Sequence, residues 1–415
     1  MRRGRLLAVV FAMALAAAAC GSSGSTKASS SGSGGTSGAG GASCSGPGIS
    51  DGTITVGVIQ QTTGNPTVVL DFQYAVTTVQ ARFNLQNNQG GVHGLKLTAV
   101  AADDGGTTTG NLAAARHLVE QDHAFGIVEM SIEPGGSGTY LKQSGVPVTG
   151  WATASDPYAL DNNFFGATGS IDANPAKSPN TSIVGFLKTK GVTNLALFGG
   201  TDPGSISVSQ GTASAAKAIG MKVGYQTNSI NFGQSDFTAD VARMRSAGTN
   251  GVVTELDPTT NLALVRAIQQ AGLHPVILLT TGYDQRLISA VGPLVAGDYF
   301  LVQFAPFELN RPAFQTFKSA MAQYAPKVPI SEVSAYSWLS ADLFIKGLEA
   351  AGSCPTRSGF IQKLRQTTYD AGGFVNPIDE SKSLGHSGLC NWFVQAEGKA
   401  FVPVSPQPYC GKPTS

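Results

Sequence analysis

Charge is scarce in this chain. Asp, Glu, Lys and Arg make up 13% of its 415 residues, and 27 basic side chains nearly balance 26 acidic ones. No run of Lys or Arg occurs, which removes the electrostatic case for a nucleic-acid partner or a lipid-headgroup patch. Histidine is sparse and scattered, at His93, His117, His123, His274 and His386, and no Cys-x-x-Cys pair is present. A zinc site therefore has no ligand set, and no metal is expected. Also missing are a Gly-x-Ser-x-Gly elbow, a His-Glu-x-x-His helix and a Gly-x-x-x-x-Gly-Lys phosphate loop. No catalyst and no cofactor site can be assembled from such a chain. Beyond the N-terminal segment, no stretch of 18 apolar residues appears, so the remainder lacks a spanning helix.

What is present begins with MRRGRLLAVVFAMALAAAAC. Arg2, Arg3 and Arg5 form a basic start, residues 6–19 are apolar, and Ala17, Ala18 and Ala19 abut Cys20. The apolar run is shorter than the roughly 20 residues of a bilayer crossing, which reads as a secretory signal over residues 1–19. Small residues against a single cysteine resemble the lipobox of bacterial lipoproteins, and on that resemblance Cys20 becomes a lipid-bearing N-terminus. An ordinary signal peptide with an incidental cysteine is the other reading. Residues 21–45 are almost wholly Gly, Ser, Ala and Thr with one charge at Lys27, too polar and too small to fold. Residues 20–48 are thus the lipidated cysteine and a tether, and about 25 such residues span roughly 25–30 Å.

Without the three signal arginines, 24 basic residues face 26 acidic ones, a net charge near minus two. The body is longer than one hydrophobic core usually holds, so two lobes are expected. Setting Cys20 aside leaves Cys44, Cys354, Cys390 and Cys410, an even number in an exported chain, hence two disulfides with three connectivities open.

The body alternates apolar, β-branched runs with helical spacing. Residues 54–59 (ITVGVI), 95–101 and 125–129 read as strands, with short strands at 146–149 and 164–167 and helices at 72–88 and 111–121. The pattern resumes with strands at 195–198, 222–226, 251–255 and 276–280, separated by helices near 207–218, 237–246 and 260–270. This is an α/β pattern that predicts two doubly wound parallel-sheet lobes, divided by the loop at 169–181. Gly90 and Gly91 should end a helix, and Asp103 and Asp104 are expected to cap the helix that starts near Thr107. Glu255 and Asp257, at one strand end, are expected to face opposite ways and so not to form a paired acid and base.

Several segments carry a family likeness. ITVGVIQQTTGNP, NNQGGVHGLKLTAVAADD, FGIV and SGVPVTGWATASDP, followed by GVTNLALFGG, DFTADVARMRSAGTNGVV and AIQQAGLHPVILLTTGYD, resemble type I periplasmic binding proteins in order and spacing. More closely, they are similar to the leucine/branched-chain amino acid binding branch, over residues 52–405. The resemblance implies two lobes joined by a three-strand hinge, with lobe 1 at 49–170 plus 305–390 and lobe 2 at 171–304 plus 391–415. The crossing strands would lie near 168–171, 299–304 and 391–395. In that topology Cys44 and Cys354 both fall at the far end of lobe 1, which favours Cys44 with Cys354 and Cys390 with Cys410; Cys354 with Cys390 stays open.

The implied function is binding without catalysis. An extracytoplasmic lipoprotein, monomeric and held to the cell membrane only by its anchor, would deliver an amino acid-like ligand, apolar carboxylate or amide to ABC permease subunits. A receptor of the same fold that senses its ligand without transport is the alternative. Loops at strand ends would line the cleft: Gln61 and Thr62, then Ser131, then Trp151 and Thr153 from lobe 1, and Asp202, Glu255, Asp257, Tyr283 and Asp284 from lobe 2. Trp151 would stack on the ligand or cap a core, and Asp284 would bind ligand or cap a helix.

Overall fold

A computed structural model describes residues 44–152, 156–174 and 180–412. Cys20, the tether up to residue 43 and Thr153 lie outside them. The first sheet comprises β1 (Ile49–Ser50), β2 (Thr53–Gln60), β3 (Lys96–Asp103), β4 (Gly126–Met130), β5 (Val148–Gly150) and β6 (Phe164–Gly166). Its parallel strands run β3-β2-β4-β5-β6, with β1 antiparallel on β2. The second sheet holds β7 (Asn194–Gly200), β8 (Lys222–Ile230), β9 (Gly251–Glu255), β10 (Val276–Leu279) and β11 (Tyr299–Val302) in the parallel order β8-β7-β9-β10-β11. A two-stranded ribbon follows, β12 (Thr368–Tyr369) with β13 (Ile378–Asp379). Then β14 (Cys390–Glu397) joins β11 antiparallel, and β15 (Ala400–Pro403) and β16 (Tyr409–Cys410) pair with β14.

Burial explains the strand sequences. Helices cover both faces of a parallel sheet, so its central strands are mostly apolar rather than alternating. Every residue of β4 and of β7 is buried. In both sheets the chain lays down a strand, adds the next on one side, then switches to the other. That switch opens a crevice at the strand carboxyl ends. It lies between Gln60 and Met130 in one lobe and between Gly200 and Glu255 in the other.

Local chemistry sets the element ends. Two helices, Pro66–Phe72 and Ala75–Asn88, replace the single one expected from residue 72. Gly90 and Gly91 follow with φ of +106° and +81°, and a Cβ on Gly91 would run into the Leu95 carbonyl, so the glycines do end the helix. The capping expected of Asp103 and Asp104 is corrected. Thr107 itself caps helix Thr108–Arg116, while Asp103 accepts from the Thr62 and Thr63 amides and Asp104 from Gly106.

Three segments connect the lobes, and they touch one another. The Thr168 hydroxyl donates to Gln303 Oε1 at 3.1 Å, and the Ser387 amide and hydroxyl donate to Asp172 at 2.9 and 2.8 Å. The stretches expected as crossings at 299–304 and 391–395 lie mainly within β11 and β14, so the chain leaves the second sheet just after β11 and re-enters it just before β14. Cys44 bonds Cys354 and Cys390 bonds Cys410, which excludes Cys354 with Cys390.

Candidate functional site

The two crevices face each other across one cavity of about 210 Å³, below the roughly 300–1,000 Å³ of common ligand pockets. Its first wall is aromatic. Trp151 follows the last residue of β5, and its ring stacks on Tyr336 of helix Glu332–Ala351 at 4.7 Å and 6° between planes. Phe72 lies on Trp151 at 6.1 Å and 25°, and the indole N–H donates to Gln303 Oε1 at 2.9 Å. Val68 and Ile132 extend this apolar surface. Trp151 thus caps a lobe's core and borders the cavity at once.

Acids dominate the opposite wall. Asp202 caps helix Pro203–Ala218, accepting the Ser205 amide on Oδ1 at 2.8 Å, and its Oδ2 is buried without a partner. Glu255 ends β9; its Oε2 accepts the Thr280 hydroxyl at 3.0 Å and its Oε1 is also buried unpartnered. Burial pushes the Glu255 carboxyl up to about 8, against the Thr280 hydrogen bond and with help from the Asp202 charge. Asp257 caps helix Pro258–Gln270 through Oδ1, at 3.0 Å from the Thr259 amide, and its Oδ2 takes the Thr260 hydroxyl. Both of its oxygens are committed. Glu255 and Asp257 therefore border the same cavity, correcting the opposite faces expected, because residues two apart on a strand end share a side.

The other expected residues lie elsewhere. Gln61 is buried in its own lobe, and Thr62 is exposed with its amide on Asp103 Oδ1 at 2.7 Å. Ser131 donates to Asp104, within a buried network where Asn111 Nδ2 reaches Asp104 at 3.3 Å and Glu129 at 3.2 Å. Tyr283 is buried and donates to Glu308 at 2.5 Å. Asp284 caps helix Gln285–Val291 and pairs with Arg286 at 2.5 Å. None of these five lines the cavity.

Sequence reasoning missed Phe72, Tyr336, Gln303 and Thr280, all on the cavity. Gln303 had a signal: like Glu255, it is a lone polar residue ending an apolar strand run, here YFLVQ. Tyr336 had none, because a long and mostly buried helix hides which residue meets a strand end. Among the described residues no group of acids, histidines or cysteines is arranged to hold a metal ion.

A periplasmic binding protein family model matches residues 53–400. The chain belongs to the periplasmic binding protein family. It is 26% identical over 310 residues to Leu/Ile/Val-binding protein homolog 3 of Brucella melitensis, covering 72% of this chain and 80% of the relative. The fold matches a fatty acid ABC transporter substrate-binding protein from Thermomonospora curvata with a TM-score of 0.75 at 20% identity, covering 88% and 95% of the two chains. A branched chain amino acid ABC transporter structure from Thermus thermophilus with bound valine gives a TM-score of 0.72 at 16% identity, covering 86% and 96%. As a periplasmic binding protein, the chain binds a solute outside the cytoplasm and is not an enzyme.

Proposed function

We propose that this periplasmic binding protein is the membrane-tethered receptor of an ABC importer, closing its two lobes over a small solute with an apolar body. The observation that carries this reading is a cavity at the strand ends bordered by both lobes, with Trp151 and Phe72 on one side and Asp202 and Glu255 on the other. A ligand that touches both walls only when they are together shifts the open and closed populations toward closure, and a permease reads the closed form. The aromatic wall is held before the ligand arrives: Trp151 is fixed by Tyr336 and Gln303, so little side-chain freedom remains to be lost. Gln303 ties that wall to a crossing segment through Thr168, which couples the ligand surface to the hinge. Names of relatives that mention Leu/Ile/Val, fatty acid and valine support an apolar solute class. Trp151, Asp202 and Glu255 are the residues assigned to ligand contact.

Small-angle scattering of the mature chain tests the closure. A solute that binds should lower the radius of gyration, and an unchanged radius at saturation would contradict the hinge mechanism. For the anchor, Cys20→Ser should move the protein from the membrane fraction to the soluble one. Retention in the membrane would contradict lipidation at Cys20.

A further inference from the structure

The charged side chains lining the cavity are all acids. Asp202 Oδ2 and Glu255 Oε1 are enclosed without partners, and no Lys, Arg or His stands among the described residues lining the cavity. Another acid lies beside the cavity on the facing lobe. Glu133 follows Ser131 and Ile132, its Oε2 accepts the Thr108 hydroxyl at 2.9 Å, and the charge of Asp202 acts on it across the cleft. The natural anion sites are meanwhile partly filled. Helices Pro203–Ala218 and Pro258–Gln270 begin at the cavity, where free backbone amides would welcome a ligand carboxylate, yet Asp202 already accepts the Ser205 amide and Asp257 the Thr259 and Thr260 amides. Three of the side-chain donors are committed as well. The Trp151 N–H goes to Gln303, the Thr281 hydroxyl to the Leu256 carbonyl and the Asn391 amide to Ser182.

We propose that this cavity selects a compact primary ammonium with an apolar body and without a carboxylate. The inference rests on reading the cavity as the solute site. The ammonium donates to Asp202 and Glu255 together, and its hydrocarbon part lies against Trp151 and Phe72. Its charge also offsets the repulsion that closure creates between Asp202 and Glu133, so the cation itself favours the closed form. A free carboxylate would meet acids in an enclosed site with no cation to pair it. A zwitterionic amino acid would satisfy the acids and strand its own carboxylate.

Calorimetry on the full mature chain with four probes of one carbon skeleton separates these classes: isopentylamine, isovaleramide, isovalerate and leucine. Benzylamine and shorter and longer primary amines cover the case of a different body size. At least one amine is expected to bind about tenfold or more tightly than its matched amide, acid and amino acid. Asp202→Asn, which keeps a capping side chain, and Glu255→Gln should each weaken that amine about tenfold or more. Unchanged melting temperatures for the two variants would show that they fold. Tighter binding of isovalerate or leucine, no binding by any amine, or amine affinity unchanged in both variants would overturn the proposal. A solute of another class that still closes the lobes would remove the ammonium and leave the receptor standing; a broad library in which nothing binds would remove both.

Discussion

Trp151 is held by two unlike contacts, a near-parallel stack on Tyr336 and a hydrogen bond to Gln303, and substitutions separate them. Trp151→Ala is expected to cost about 2–3 kcal/mol of stability, under the roughly 3–5 kcal/mol of a fully buried ring, because one side faces the cavity. Trp151→Phe keeps a stacking ring and loses the N–H, costing about 1 kcal/mol. Urea midpoints of the three proteins check that order, and equal midpoints would contradict the packing. Glu255 gives a pH prediction. Its carboxyl sits up at about 8 through burial and the Asp202 charge, with the Thr280 hydroxyl pulling the other way. An ammonium beside it favours the ionised form, so amine binding near neutral pH should release a proton, and affinity should rise as pH climbs toward about 8. Calorimetry in two buffers of different ionisation enthalpy measures that proton, and its absence would contradict the pairing. Asp298 has a similar elevation with no ligand role: its Oδ2 is buried without a partner, and burial pushes the carboxyl up to about 8. The folded state holds this proton where the unfolded chain has lost it, so its stabilising share disappears as pH rises from about 4 to about 8. Asp298→Asn should therefore gain on the parent across that window, by urea denaturation at both ends. A constant difference would place Asp298 in water.

At the scale of elements, strand ends proved the hardest places to read. Asp202, Asp257 and Asp284 each follow an apolar run, the pattern of a cleft acid, and each caps the next helix. A parallel sheet needs a tight turn from strand to helix, and Asp supplies its N-cap, so capping and ligand contact share one sequence signature. Only enclosure separates them: Asp202 keeps one oxygen unpartnered at the cavity, while Asp257 keeps none. Ser131 was legible as a hydroxyl at a strand end, but its inward turn depends on Asp104, 27 residues earlier, meeting it in space. The apolar strands and the glycine helix stop were readable because their causes are local. The disulfide Cys44–Cys354 joins the chain before β1 to the segment after helix Glu332–Ala351, closing a separation of 310 residues. Replacing both cysteines by Ser should cost about 2–4 kcal/mol, read as a lower urea midpoint than that of the oxidised parent. An unchanged midpoint would show that this staple adds nothing.

For the molecule as a whole, the strand order of each lobe puts its crevice where the other lobe's crevice lies opposite, and that arrangement was visible from the two series of strands and helices. The identity of the walls was not. It depends on Tyr336 and Gln303 arriving from distant parts of the chain, and on which acids the protein uses for its own helices. The central claim is that a small solute occupies this one cavity. A thermal-shift screen of amines, amino acids, amides and small acids, run in parallel on the mature chain and on Trp151→Ala, tests it most directly. At 100 times its dissociation constant, a true ligand adds about 2.7 kcal/mol to stability. At least one compound should raise the melting temperature of the parent and fail to raise that of Trp151→Ala. A compound that stabilises both equally, or a library that stabilises neither, would contradict the account.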